Sequence, residues 1–247
     1  MNISYYPGCS LDGTAKEYGA SIQAVAKLLD IEFKELEDWN CCGSSSAHAT
    51  NDTLAISLPA RNLVIASKTG LDLVVPCAAC FQRLKTTEKK LLAGEALGGI
   101  SGEYKGGFKI QYLTDFFWEA TSRKQLKEKV KESLNGLNIV CYYGCLSVRP
   151  PKITDASNPE DPQAMDDIMK SLGADIRNWS YKTDCCGGSL MFTRPDIGKK
   201  LTAKILDMAV EARAECIVVG CPICQMNLDS RQGEITRETG QNYSLPI

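Results

Sequence analysis

Ten of the chain's twelve cysteines fall into two sets of five with one order. The first set reads Cys9, 31 residues, Cys41-Cys42, 34 residues, Cys77-x-x-Cys80; the second reads Cys145, 39 residues, Cys185-Cys186, 34 residues, Cys221-x-x-Cys224. A glycine, Gly43 or Gly187, follows each adjacent pair. Four of the five positions are offset by 144 residues and the first by 136, so one eight-residue insertion relates the copies. Adjacent and Cys-x-x-Cys thiols are metal-ligand patterns. A structural zinc ion takes four ligands and a cubane [4Fe-4S] cluster four thiolates, so five per set is one too many for either. A larger or open iron–sulfur assembly uses the fifth, because a thiolate can bridge two irons and the adjacent pair can serve different irons. Zinc at one site stays open on the Cys-x-x-Cys pairs alone, although it would need only four of the five thiols. One buried bystander cysteine per set is the plain alternative, and its recurrence in both sets counts against it.

Compartment decides whether these thiols are free. The N-terminal residues have no basic segment leading into an apolar core, and no run approaches the roughly 18 apolar residues of a membrane span. The reading is therefore a cytoplasmic chain with no membrane span, whose thiols stay reduced; a disulfide framework is disfavoured. Two hundred and forty-seven residues, 44% of them apolar, suffice for one large domain or two half-size ones. A formal net charge of −2 provides no broad basic field, so no nucleic-acid partner is expected.

The elements that must position the thiols repeat as well. Residues 3–6 are a β-favouring run stopped by Pro7-Gly8, which places Cys9 on a loop at a strand end. Apolar positions predict a helix over 15–29, a second strand over 33–36, and a helix over 53–69 in which Pro59 is either a kink or the true start. The turn-rich stretch 38–46 carries Cys41 and Cys42, and Gly43 could supply the backbone shape that lets neighbouring thiols converge, which a regular strand would forbid. Residues 71–75 read as a buried strand, with Cys77 and Cys80 at its C-terminal end leading into a helix to about residue 92. Glycine-rich 94–107 (Gly94, Gly98, Gly99, Gly102, Gly106, Gly107) reads as the linker, and 114–134 as one or two helices. From residue 137 the pattern restarts: Tyr142-Tyr143-Gly144-Cys145 repeats the Tyr5-Tyr6-Pro7-Gly8-Cys9 theme, 154–163 holds the insertion, 165–172 and 204–213 are helical, and 216–224 matches 72–80 position for position. Cys141 and Cys216 lie inside predicted strands and read as core. The expected fold is α/β, two similar halves related by internal duplication, each a small mainly parallel sheet flanked by helices. Its divisions are 1–98, a linker and helices over 99–136, and 137–247, with the two thiol sets facing a shared cleft.

Two copies of Cys-x31–39-Cys-Cys-Gly-x34-Cys-x-x-Cys resemble the cysteine-rich CCG domains found in the B subunit of heterodisulfide reductase, over nearly the whole chain. The resemblance implies that Cys9, Cys41, Cys42, Cys77 and Cys80 hold one noncubane [4Fe-4S] cluster, and Cys145, Cys185, Cys186, Cys221 and Cys224 a second. It further implies reductive cleavage of a small-molecule disulfide between the two clusters, the disulfide of coenzyme M and coenzyme B in methanogens. No ferredoxin-type cysteine run is present, so electrons must come from another subunit; the resemblance implies two partners in the same complex, one ferredoxin-like (its C subunit) and one flavin-containing (its A subunit). Related proteins with the same domain belong to fumarate reductases and other dehydrogenases, where the chain would relay electrons and cut no disulfide.

Smaller signals surround the sets. His48, the only histidine, is a candidate proton donor to a leaving thiolate, against the plainer reading of a surface residue. Arg83, Lys85, Arg149, Lys152 and Arg194 follow the cysteine segments and are candidates for anionic substrate groups, with solvated surface the plain alternative for each.

Overall fold

The computed structural model describes residues 1–44, 47–96, 99–100, 102–121 and 123–247. Ser45, Ser46 and Gly98, placed above in a turn and in the linker, lie outside the described residues.

In the first half, strand β1 (Asn2–Tyr5) is followed by helices α1 (Cys9–Asp12) and α2 (Lys16–Leu28), strand β2 (Glu32–Glu35), and helices α3 (Ala47–Thr50) and α4 (Asp52–Ser67). Strand β3 (Leu73–Val75), helix α5 (Ala78–Leu92), strand β4 (Ile110–Tyr112) and helices α6 (Leu113–Ala120) and α7 (Arg123–Lys129) complete it. The sheet is parallel throughout, ordered β2-β1-β3-β4. Cys9 therefore opens a short helix instead of lying on a loop, because the chain turns into α1 directly after Pro7-Gly8. Helix α4 runs through Pro59, and its start is set by Asn51, whose side chain accepts the Leu54 N–H at 2.9 Å. Asn51→Ala should lower thermal stability by about 1 kcal/mol, the usual worth of such a cap; an unchanged unfolding midpoint would show that the cap contributes nothing.

The second half repeats the plan with strand β5 (Asn138–Tyr142), helices α8 (Pro151–Thr154) and α9 (Ala164–Ser171), strand β6 (Asp175–Ile176) and a 3-10 turn at Gly188–Leu190. Helix α10 (Pro195–Glu211), strand β7 (Cys216–Val219) and helices α11 (Pro222–Ser230) and α12 (Gln232–Thr239) follow. Its sheet order β6-β5-β7 matches β2-β1-β3, again parallel. The place of β4 is taken by the C-terminal tail. Ile217 N–H donates to the Pro246 carbonyl at 2.9 Å, as its counterpart Leu73 N–H donates to Lys109 at 2.8 Å. Gln232 grips Leu245 by both its N–H and its carbonyl, at 2.8 and 2.7 Å.

One continuous core joins the halves, with Tyr6, Leu73, Phe81 and Tyr112 packed in the same cluster as Tyr142, Ile205, Ile217 and Leu228. At the seam the Gly220 carbonyl accepts from both Tyr18 Oη (2.9 Å) and Tyr112 Oη (2.5 Å). Cys141 is fully buried in a satellite core and Cys216 half-buried at the start of β7, so both are packing residues of strands, as their positions predict. Among the described residues no helix is long and apolar enough to cross a membrane.

Candidate redox site

All ten cysteines of the two sets lie in the segments that follow the C-terminal ends of parallel strands, the side on which such sheets place their ligand sites. The chain leaves β3 and enters α5 at Cys77, which occupies the N-cap position with Cys80 in the first turn; Cys221 and Cys224 stand the same way on α11, where Pro222 takes the first helical position. A glycine makes room for the last thiol of each set. A Cβ on Gly8 would come within 3.0 Å of Cys80 Sγ and one on Gly144 within 3.2 Å of Cys224 Sγ, and both residues have positive φ, 73° and 70°. Gly43 and Gly187, at φ 74° and 76°, turn each adjacent pair so that the glycine N–H faces Cys41 Sγ (3.4 Å) or Cys185 Sγ (3.3 Å).

Burial divides the two sets alike, into a buried trio and a more accessible pair. Cys42, Cys77 and Cys80 are buried, while Cys9 and Cys41 are exposed. Cys186, Cys221 and Cys224 are buried, while Cys185 is exposed and Cys145 half-exposed. Within the buried groups Sγ of Cys42 lies 3.2 Å from that of Cys80, and Sγ of Cys186 lies 3.6 Å from that of Cys224. The sets also lie close enough to act on each other: the Cys221 thiol pushes the pKa of Cys77 up, and Cys77 helps to pull that of Cys221 down.

The thiols tune one another by donating and accepting. Hydrogen bonds from Cys41 and Cys80 pull the Cys42 thiol down to about 4, and Cys41, the donor, is pushed well up. A hydrogen bond from Cys145 brings Cys185 down to about 6, helped by the Gly187 N–H. Cys221 is held low by hydrogen bonds from Cys224 and Cys77. Each set thus favours thiolates flanked by thiols, the state from which soft metals are bound.

The backbone around the pairs is braced by groups that the spacing of the cysteines did not disclose. Tyr6 Oη donates to the Asn40 carbonyl (2.8 Å) and Tyr142 Oη to that of Asp184 (2.5 Å), the residue before the pair in each case. Asn62 exchanges two hydrogen bonds with the Asn40 backbone, at 2.9 and 2.8 Å. In the second half Thr202 and Asn227 hold the Cys186 carbonyl at 2.9 and 2.8 Å. The Tyr pair was visible in the repeated Tyr-Tyr motif; the Asn and Thr braces carry no sequence signal.

Of the candidate cations, Lys85 is paired with Glu88 and Asp155 (2.8 and 2.9 Å), Arg149 with Glu160, and Arg194 with Asp196 (2.9 Å). Lys152 is exposed. Arg83 bonds only the side-chain oxygen of Gln82, and among the described residues no carboxylate pairs with it. His48 is exposed on α3 and lines a cavity with Arg83.

The fit of these residues to a metal group rests on the donors. Among the described residues no three His, Cys, Asp or Glu side chains form a set able to hold a metal ion; one close sulfur contact stands in each set, Cys42 with Cys80 and Cys186 with Cys224. A polynuclear centre takes its thiolates on different irons, so pairwise thiols around glycine-relieved space suit it better than a single tetrahedral ion.

Two parallel α/β halves, each carrying five thiols at its strand ends, define a duplicated cysteine-rich protein. The family model described as the CCG cysteine-rich domain matches residues 3–85 and again 139–229, and the chain belongs to that family. It is 31% identical to the 8-methylmenaquinol:fumarate reductase membrane anchor subunit of Wolinella succinogenes, over 99% of this chain and 88% of that one. It is 26% identical to a protein of Archaeoglobus profundus that is like the B subunit of heterodisulfide reductase, over 100% and 87% of the two chains. The B subunit of the ferredoxin:CoB-CoM heterodisulfide reductase of Methanosarcina mazei is 24% identical, over 99% and 85%. A crystal structure of a hypothetical protein from Helicobacter pylori shares the fold with a TM-score of 0.73 at 10% identity; it is matched over 98% of this chain, which spans 46% of that one.

Proposed function

We propose that this chain is the disulfide-reducing component of a multi-subunit redox complex of the heterodisulfide reductase type. Cys9, Cys41, Cys42, Cys77 and Cys80 would hold one noncubane [4Fe-4S] cluster, and Cys145, Cys185, Cys186, Cys221 and Cys224 the other. The observation that carries the reading is the repeated division of each five-thiol set into a buried trio and a more accessible pair, with Cys77 and Cys221 of the two trios near enough to shift each other's pKa. Clusters of this kind, when bound, supply one-electron transfer and iron positions open to sulfur. The buried trios keep water from the inner thiolates, and the exposed pairs leave one side of each site open to a small disulfide. Two one-electron centres would match the two electrons a disulfide needs. The electrons would come from a ferredoxin-like partner and a flavin-containing partner in the same complex.

A second reading is favoured by the 31% identity to the fumarate reductase protein: the same sites would relay electrons within a dehydrogenase complex and cut no disulfide. Metal analysis of anaerobically purified protein tests what both share. Roughly eight iron and eight labile sulfide per chain are expected for two four-iron clusters; zinc with little iron would sink both readings. Reoxidation of the reduced protein by a small disulfide, with a thiol-dependent electron paramagnetic resonance signal, supports the first reading. Indifference to disulfides supports the relay.

A further inference from the structure

The two thiol sets are alike, but their surroundings are not. A cavity of about 440 Å³ beside the first set is lined by His48, Asp52, Arg83, Thr86, Thr87 and Lys90. Arg83 stands one turn after Cys80 on α5, close enough for its charge to be felt by Cys42, and the His48 N–H donates to the carbonyl of Gly43 at 3.4 Å. The cavity therefore lies next to the Cys41-Cys42 and Cys77–Cys80 segments of the first site. Its acidic member, Asp52, is exposed, and Lys90 is already paired with Glu95 at 3.0 Å. The half-buried Arg83 guanidinium has no carboxylate among the described residues.

The 144-residue offset supplies an internal control. His48 corresponds to Phe192, Arg83 to Asn227 and Lys90 to Glu234. Phe192 is 84% exposed. Asn227 is buried and spent on bracing Cys186, and Glu234 is matched by Lys199 and Arg231 at 3.2 and 3.1 Å. At the three matching positions of the second half, no cation without an acidic partner stands in place of Arg83.

We propose that this cavity is an anion subsite: Arg83, with His48 and the Thr87 hydroxyl, receives a carboxylate, sulfonate or phosphate group carried by the molecule that meets the first thiol set. The second set, flanked by an exposed phenyl and a neutralised carboxylate, receives the end without that charge. This assignment rests on the disulfide reading for the identity of the ligand, and on the cavity alone for its charge.

Titration calorimetry on the cluster-loaded, oxidised protein without reductant tests both parts. A charge-assisted pair with Arg83 should make 3,3′-dithiodipropionate bind at least about tenfold more tightly than the neutral 2-hydroxyethyl disulfide. Arg83→Gln should bring the two within about twofold, and Lys90→Glu, at the more exposed rim, should weaken only the anionic probe. Equal binding of the two disulfides to the wild type, or a preference that survives Arg83→Gln, overturns the subsite. Inorganic sulfate separates the two parts. Sulfate binding that is lost in Arg83→Gln, with no binding of either disulfide, upholds the anion site and assigns it to a free anion, against the disulfide reading. If the wild type binds neither sulfate nor the anionic disulfide, the subsite is overturned while the iron content still stands or falls separately.

Discussion

Replacing Cys42 with alanine is expected to remove the first iron–sulfur centre and spare the second, so that iron falls from roughly eight to roughly four per chain. Cys42 is buried, its Sγ lies 3.2 Å from that of Cys80, and it adjoins exposed Cys41 in the chain, so it ties the exposed pair to the buried trio. No water can reach its place to serve as a substitute ligand. Cys186→Ala should mirror the result, abolishing the second centre and keeping the first. Cys9→Ala should be milder, because an exposed position lets solvent stand in for the lost sulfur. Cys141→Ala is the control: it is as deeply buried, yet it belongs to a strand core, and it should keep all the iron while costing about 1 kcal/mol of stability. Iron and labile sulfide assays on the four variants decide the matter. Full iron in Cys42→Ala, or iron lost equally from Cys141→Ala, would sink the ligand assignment.

That assignment could be read early because the chemistry sits in spacing. A 34-residue interval repeated twice survives any uncertainty about where helices begin, and the 144-residue offset carries the sheet order with it. What the chain order could not disclose is which thiols face solvent. Exposure depends on how α4 and α5 close over Cys42 and Cys77, a long-range matter. The fourth strand of the first sheet, and the tail that stands in its place beside the second, were equally hidden. β4 has three residues inside the stretch read as linker and helices, and its stand-in is a tail held by Gln232 and a single ladder bond. Helix α10 begins nine residues before the expected 204, at Pro195, because its first turns are rich in charge and carry little periodic apolar signal. The cations were the least legible feature: five looked alike in sequence, and only the placement of carboxylate partners separated Arg83 from Lys85, Arg149 and Arg194, and only its half-burial separated it from exposed Lys152.

Lys182→Met is expected to be among the most destabilising single changes outside the thiol sets. Lys182 is 5% exposed and Asp166 2% exposed, and they pair at 2.9 Å. Lys182 also reaches Asp161 at 2.7 Å and the Pro162 carbonyl at 3.2 Å, while Tyr143 Oη donates to Asp166 at 2.6 Å. The main chain runs through the same knot: the N–H groups of Tyr143 and Gly144 both donate to the Lys182 carbonyl, at 2.8 and 3.1 Å, immediately before Cys145. Removing the ammonium leaves a buried carboxylate uncompensated, which costs about 3–5 kcal/mol and should lower the unfolding midpoint by roughly 10 °C. Lys182→Met combined with Asp166→Asn should recover much of the loss, since the cost lies in the orphaned charge and not in the missing pair. The pH dependence has a definite sign. Burial alone would lower the lysine's pKa, but hydrogen bonds and charge from Asp161 and Asp166 outweigh it and hold the value above 10.5. The contribution is therefore complete below pH 10.5 and is lost as pH rises through the folded-state value, so wild type and Lys182→Met should converge in stability only under strongly alkaline conditions. A midpoint within about 2 °C of wild type at neutral pH would show that the network does not hold the Cys145 loop.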